Sequence, residues 1–164
     1  MNETHDELAG VVDLFGALTR AELREALSEL AFKRGAEPDE STVNATIERA
    51  IDAYALVVVD PDILESEGSQ TPRPEGGLLV AGPTAFPSLP PDAEDLPHIM
   101  DVPRRRIDRE AAGKAVRDQL LADVAAVEDD QRDRAERLLD VSYDLEAWAP
   151  IDADAVRSRL DELM

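Results

Sequence analysis

A proline-rich segment divides the chain into two stretches that must build separate apolar faces. Residues 83–103, PTAFPSLPPDAEDLPHIMDVP, hold six prolines in 21 positions. Because proline lacks a backbone N–H and clashes with the preceding helical turn, no long helix or central strand can run through this segment. We therefore predict a module over residues 1–86, an extended linker or strap over 87–103 and a helical region over 104–164. The apolar residues of the proline-rich segment 83–103 indicate that it lies along a surface: Phe86, Leu89, Leu96, Ile99 and Met100.

Three amphipathic helices are predicted ahead of this strap. The first covers residues 6–18, where apolar residues recur at helical spacing. Thr19 and Glu22 form a T-x-x-E capping box that opens the second helix, which ends at Gly35. The third helix follows Asp39, and its buried side is predicted to comprise Val43, Ile47, Ala50, Ile51 and Tyr54.

Two short strands are predicted next. The run ALVVVD (55–60) is continuous and rich in β-branched residues, and GLLVAG (77–82) follows a long connection over 61–76. A connection of that length is expected to be mobile or functional. In their order, three helices and a β-hairpin with a long tip resemble the winged helix-turn-helix fold over roughly residues 6–86. The resemblance implies a mostly α (α+β) fold class.

The C-terminal region is predicted to be helical. One apolar stripe starts at about residue 106, and a second leads to Trp148. No Gly or Pro occurs between Gly113 and Pro150, so a single long helix is compatible with the sequence, although EDD at 128–130 is the favoured break. A last helix is capped by Asp152. These helices would pack within one chain or form a bundle shared by two copies.

Acidic residues outnumber basic ones by more than two to one. Asp and Glu total 37 against 17 Lys and Arg, which gives a net charge of -20, and only Lys33 and Lys114 are lysines. Carboxylates retain water and cations, whereas lysine stems expose apolar surface that concentrated salt drives together. Such a surface resembles that of proteins from salt-in halophiles, particularly haloarchaea. An ordinary acidic protein, or an acidic mimic of nucleic acid, is the rival interpretation.

The whole chain resembles a family of small, uncharacterised haloarchaeal proteins that is described only as a domain of unknown function. The likeness covers most of the chain and implies no activity. If the habitat is salty, the acidity reports that habitat and is weak evidence about partners.

Catalytic, cofactor and metal sites are not predicted. The chain has no cysteine, so disulfides, thiol catalysis and thiolate metal sites are excluded. It has no glycine-rich phosphate loop and no serine in a nucleophile motif. His5 and His98, the only two histidines, are far apart in sequence. The N-terminus lacks a signal-peptide pattern and no apolar run approaches the roughly 18 residues of a membrane span, so we expect a cytoplasmic, non-enzymatic protein with no membrane association.

One basic cluster stands out in the acidic chain. Residues 103–117, PRRRIDREAAGKAVR, carry two acids and six cations, a net +4: Arg104, Arg105, Arg106, Arg109, Lys114 and Arg117. Arginine binds carboxylate and phosphate bidentately. The cluster is therefore expected either to pair with the acidic N-terminal module of the same chain or to contact nucleic acid or an acidic partner.

The third helix is a weak candidate for reading DNA. Its predicted exposed face comprises Ser41, Thr42, Ala45, Glu48, Arg49 and Asp52. Of these only Arg49 suits base edges, and the acids oppose phosphate. The leading hypothesis is a non-enzymatic protein-interaction or regulatory module that binds a protein partner or self-associates. The alternative is a winged-helix DNA-binding transcriptional regulator, in which the C-terminal helices dimerise and Arg104 to Arg106 touch phosphate.

The charge predicts that folding depends on salt. The net charge of -20 is unscreened in dilute buffer, whereas at about 1 M salt the Debye length falls to about 3 Å. Circular dichroism should show helix being gained from dilute buffer to molar KCl. A fully cooperative structure in dilute buffer would contradict the interpretation of the charge as salt adaptation.

Overall fold

Seven α-helices and a two-stranded antiparallel sheet make up the regular structure of the described residues. The computed structural model describes residues 5–35, 39–61, 77–102 and 104–163. They belong to two units, Met1–Ile107 and Asp108–Met164.

The first unit begins with the three predicted helices. Helix α1 spans His5–Phe15, α2 spans Arg20–Lys33 and α3 spans Glu40–Asp52. The apolar faces of these helices meet in one core, whose fully buried side chains include Leu8, Phe15, Leu23, Leu30 and Ile47.

The predicted capping box at the start of α2 is confirmed. The N–H of Glu22 donates to Oγ1 of Thr19 at 3.1 Å, and the N–H of Thr19 donates to Oε1 of Glu22 at 2.8 Å. Two backbone donors that the first helical turn leaves unpaired are thereby satisfied. Asp39, after which the third helix was predicted to begin, likewise accepts from the N–H of Ser41.

The sheet packs against the helices of the first unit and contributes Leu56, Leu79 and Ala81 to their core. Strand β1 (Leu56–Val59) pairs with strand β2 (Leu78–Ala81). On the other side of β2, Leu18 exchanges two backbone hydrogen bonds with Leu79, at 2.7 and 3.0 Å. Strand β2 is therefore central, between β1 and the short segment that joins α1 to α2. The predicted long tip lies within residues 62–76, outside the described residues.

A tight turn connects α3 to β1. Tyr54 has φ of 62°, while its N–H bonds to the carbonyl of Ile51 and the N–H of Ala55 bonds to that of Ala50. This hydrogen-bond pattern is a Schellman turn, which usually has glycine at the left-handed position. The left-handed conformation costs a non-glycine residue about 1–2 kcal/mol. Burial of the Tyr54 ring offsets that cost.

The proline-rich strap packs within the first unit and is not extended throughout. A 3₁₀ turn spans Ala93–Asp95, and a short helix α4 spans Leu96–Ile99. Pro97 is tolerated there because the first helical turn needs no donor at that position. Leu96 and Met100 are buried in the core, which holds the strap in place.

Two glycines in the first unit allow the strap and its C-terminal extension to approach α1 closely. The N–H of Ser88 donates to the carbonyl of Asp6, and a Cβ at Gly10 would lie 2.0 Å from the Ser88 carbonyl oxygen. Gly16, at the end of α1, similarly admits the carbonyl of Arg105, which would lie 1.8 Å from an added Cβ.

The second unit is a three-helix arrangement. Helix α5 spans Arg109–Ala125, α6 spans Arg132–Trp148 and α7 spans Asp154–Leu163. The two longer helices are separated at 126–131, so the break falls at the predicted EDD. Their shared core includes Val116, Leu120, Val124, Leu138, Leu145, Val156 and Leu160.

The boundary between the units falls at Asp108, four residues after the boundary drawn from the sequence. The Asp108 side chain accepts from the N–H of Ala111 and so caps α5. Arg104 and Arg105 lie ahead of this cap and bind the first unit. Asp152 accepts from the N–H of Asp154, which is its predicted role at the last helix.

We expect Gly10→Ala to destabilise the first unit even though alanine favours helix by up to about 1 kcal/mol. The added Cβ would displace the Ser88 backbone, at a cost of about 1–3 kcal/mol. Chemical unfolding should show the loss, and hydrogen exchange at the Ser88 amide should accelerate. Ala45→Gly, at an exposed position of α3, is the control: it should cost about 1 kcal/mol and leave Ser88 unchanged. Stabilisation by Gly10→Ala would contradict the close approach.

Candidate interaction surfaces

Arg105 is the most fully engaged residue of the basic cluster. Its Nη1 donates to Oε1 of Glu22 at 2.6 Å and to the Ala17 carbonyl at 3.0 Å, and its Nη2 donates to Oε2 of Glu22 at 3.0 Å. Its backbone N–H donates to the Phe15 carbonyl at 2.8 Å. The side chains of Arg105 and Glu22 are only 12% and 21% exposed. A bidentate, partly buried pair of this kind is stronger than an exposed ion pair.

The pKa of Glu22 is held below its ordinary value. Burial alone would raise the pKa, but the hydrogen bond from Arg105, the bond from the Thr19 N–H and the guanidinium charge together outweigh it. Glu22 therefore caps α2 and binds Arg105 as a carboxylate.

Some of the other cations of the cluster bind backbone carbonyls, and others are exposed. Arg104 donates to the carbonyl of Leu14 at 3.3 Å in the first unit. Arg106 and Lys114 are exposed and make no hydrogen bond or ion pair with any residue that the structure describes.

Arg109 and Arg117 bind backbone within the second unit. The guanidinium of Arg109 lies 4.3 Å from the centre of the Trp148 ring and also donates to the Trp148 carbonyl. Arg117 donates to the carbonyl of Asp152 at 3.3 Å. Arg109 therefore binds the last carbonyl of α6, where the helix dipole favours positive charge, and Arg117 binds a carbonyl in the connection between α6 and α7.

The exposed face of α3 includes the predicted Arg49, whose guanidinium reaches Oγ1 of Thr46 at 3.5 Å. Arg20 of α2 pairs with Glu48 at 3.2 Å, and Arg24 donates to Oδ1 of Asn44 at 3.3 Å. Arg20 and Arg24 were not predicted to lie beside α3. Their spacing of one helical turn indicates that they share one face of α2, and this could have been read from the sequence.

Large apolar side chains are exposed on the first unit. Phe32 and Phe86 are 79% and 82% exposed, and Leu89 and Ile99 are also exposed. Phe32 lies off the apolar stripe of α2, so its exposure could have been predicted from the sequence. Phe86, Leu89 and Ile99 were expected to lie against a surface but are exposed, whereas Leu96 and Met100, predicted with them, are buried together with Ala93.

The second unit has a group of carboxylates around Arg157. Oxygens of Glu146, Asp152 and Asp154 all lie within 4.8 Å of one another. Arg157, whose side chain is 17% exposed, donates to both oxygens of Glu146 and to Asp154. The hydrogen bond from Arg157 lowers the pKa of Glu146. The group therefore holds α7 against α6 through an arginine.

Sequence comparison places the chain in a family. It belongs to DUF7109, a family of unknown function, whose match covers residues 6–164. No curated protein and no solved structure matches the chain. Within the described part of the chain, no helix is long and apolar enough to cross a membrane.

We expect Arg105→Gln and Arg106→Gln to differ sharply although the residues are adjacent. Arg105→Gln removes the bidentate pair and should cost about 1–3 kcal/mol of unfolding free energy. Arg106→Gln, at an exposed position, should change it by less than about 0.5 kcal/mol. Urea unfolding at one fixed KCl concentration measures both. Equal effects would contradict the assignment of Arg105 as the residue that holds this segment.

Glu22→Gln should give a pH-dependent loss of stability. The amide can still accept from Thr19, so the substitution mainly removes the charge that binds Arg105. Because the folded-state pKa of Glu22 is lowered, its contribution is present above the ordinary value of 4.5 and is lost as pH falls through the folded-state pKa. The stability difference between the parent and Glu22→Gln should therefore be largest near neutral pH and shrink in acid. A difference that does not vary with pH would show that the charge of Glu22 is unimportant.

Proposed function

We propose that this member of DUF7109 is a non-enzymatic protein-interaction or regulatory module adapted to high salt. The carrying observation is the exposure of Phe32 and Phe86, two of only three phenylalanines in the chain. Concentrated salt strengthens apolar association. Exposed aromatic rings are therefore unfavourable on this acidic, lysine-poor surface unless a partner covers them.

Both aromatic residues are associated with the strap. Phe86 directly precedes it, and Leu89, three residues later, is a second exposed apolar residue. Phe32 precedes Lys33 and Arg34, which contact Asp95 and the Pro91 carbonyl of the strap. Covering one phenylalanine side chain stabilises an interface by about 1.5–3 kcal/mol. The partner is a second protein or a second copy of this chain.

The ionisable groups support a structural role for the acids. Glu22 and Glu146, whose pKa values are lowered, are each bound bidentately by an arginine. A general acid benefits from a pKa raised towards neutrality, and the pKa values of these two carboxyls are shifted in the opposite direction, whereas burial and the nearby Asp140 raise the pKa of Asp144.

The double variant Phe32→Ser/Phe86→Ser tests the proposal. In molar KCl the parent should self-associate in sedimentation equilibrium or retain a defined protein in affinity capture. The double variant should stay folded by circular dichroism and lose that association. Leu163→Ser, which removes an exposed apolar side chain from the second unit, is the matched control and should retain it. Unchanged association of the double variant would overturn the proposal.

A winged-helix DNA-binding regulator is the second candidate. This candidate is supported by the order of the elements, three helices followed by the strands β1 and β2. Strand β2 lies between β1 and Leu18, which precedes α2, and this is the arrangement expected for a winged helix. In this function α3 would enter the major groove. Because Arg105 is bound to Glu22, phosphate contacts would come from Arg20 and Arg24 instead of the whole predicted Arg104 to Arg106 set.

Selection from a random-sequence duplex library in molar KCl distinguishes the two functions. Enrichment of one sequence, with discrimination lost in Arg49→Ala, would favour the DNA-binding regulator. Failure of the folded protein to enrich any sequence would favour the protein-interaction module.

A further inference from the structure

We propose that the turn between α1 and α2 is a binding site for an arginine-bearing extended peptide, and that the chain fills it with its own Arg105 as an exchangeable ligand. This goes beyond the proposed interaction module, because it assigns a second site with defined ligand chemistry. The residues of the site, Phe15 to Glu22, belong to α1, the turn and the first turn of α2.

The site recognises both the side chain and the backbone of its ligand. The two oxygens of Glu22 and the carbonyl of Ala17 accept from the guanidinium, and the carbonyl of Phe15 accepts from the backbone N–H. Arginine fits because its planar fork donates two parallel bonds to one carboxylate, whereas lysine offers a single ammonium. Gly16 leaves space for the ligand's carbonyl, which any Cβ would obstruct.

The acceptors are held in position by bonds that do not involve Arg105. Oε1 of Glu22 accepts from the Thr19 N–H in the capping box. Leu18, fully buried, exchanges two backbone hydrogen bonds with Leu79 of β2. The turn is therefore fixed between a helix start and the sheet, so the site should persist when Arg105 leaves it.

The ligand segment lies beyond the strap's core anchors. Leu96 and Met100 are buried, whereas Arg104 and Arg106, on either side of the ligand residue, are exposed. Release of residues 104–106 would break the bonds of Arg104 and Arg105 without uncovering those two anchors. Local openings of this kind require less free energy than global unfolding.

The test removes the Arg105 side chain from the site by substitution and then adds a peptide that can bind there. The full-length Arg105→Ala protein is titrated in molar KCl with a blocked peptide of sequence PRRRI, which copies residues 103–107. The control peptide has glutamine in place of the middle arginine. Amide NMR shifts at residues 15–22 and the thermal midpoint are the two readouts.

We expect the PRRRI peptide to shift the residue 15–22 amides and raise the thermal midpoint of Arg105→Ala. Binding to the parent should be at least about tenfold weaker, because the tethered Arg105 competes. Binding should be lost in Arg105→Ala/Glu22→Gln and with the control peptide. If Arg105→Ala does not fold, Arg105→Lys is used in the same titration, since it keeps the charge but not the bidentate fork.

Three results would overturn the proposal. One is equal binding by Arg105→Ala and Arg105→Ala/Glu22→Gln, which would place the peptide elsewhere on the acidic surface. Another is equal binding of both peptides, which would show that the middle arginine is not recognised. The third is a folded Arg105 variant whose residue 15–22 amides do not respond, which would make Arg105 a fixed structural contact.

Discussion

The carboxylate of Glu22 links local structure to tertiary structure in the first unit. It receives the Thr19 N–H that opens α2 and the guanidinium of Arg105, 83 residues later in the chain. Since both bonds use Oε1 of Glu22 in one position, formation of the helix start also positions the carboxylate that binds Arg105. Low exposure shields this pair from salt better than the exposed pairs of the same protein.

The second unit uses the same chemistry at a different junction. Arg157 of α7 binds both oxygens of Glu146 on α6 and lies over the ring of Tyr143. In both units the firm polar contact is a fork of arginine on one glutamate, and Arg105 and Arg157 each join two segments in this way. The chain's lysine-poor composition is consistent with this use, because lysine cannot make the bidentate contact.

Local signals in the sequence predicted local structure well. The capping box at Thr19, the start of α3 after Asp39 and the break near 128–130 depend on neighbouring residues, and the structure confirms each. The partner of Arg105 could not be predicted, because any of many carboxylates satisfied the same charge argument. The helical turns of the strap were missed because proline content argued for an extended chain, while tolerance of Pro97 depends on where a helix begins.

Close backbone approaches at Gly10 and Gly16 limit how the sequence of this protein can change over time. At each position even a single methyl group meets a carbonyl of a distant segment, so only one of the twenty amino acids fits the existing path of the chain. Substitution there becomes tolerable only after the facing segment has moved or been lost. Exposed positions away from such approaches carry no comparable constraint, since substitutions there usually change stability by less than about 0.5 kcal/mol.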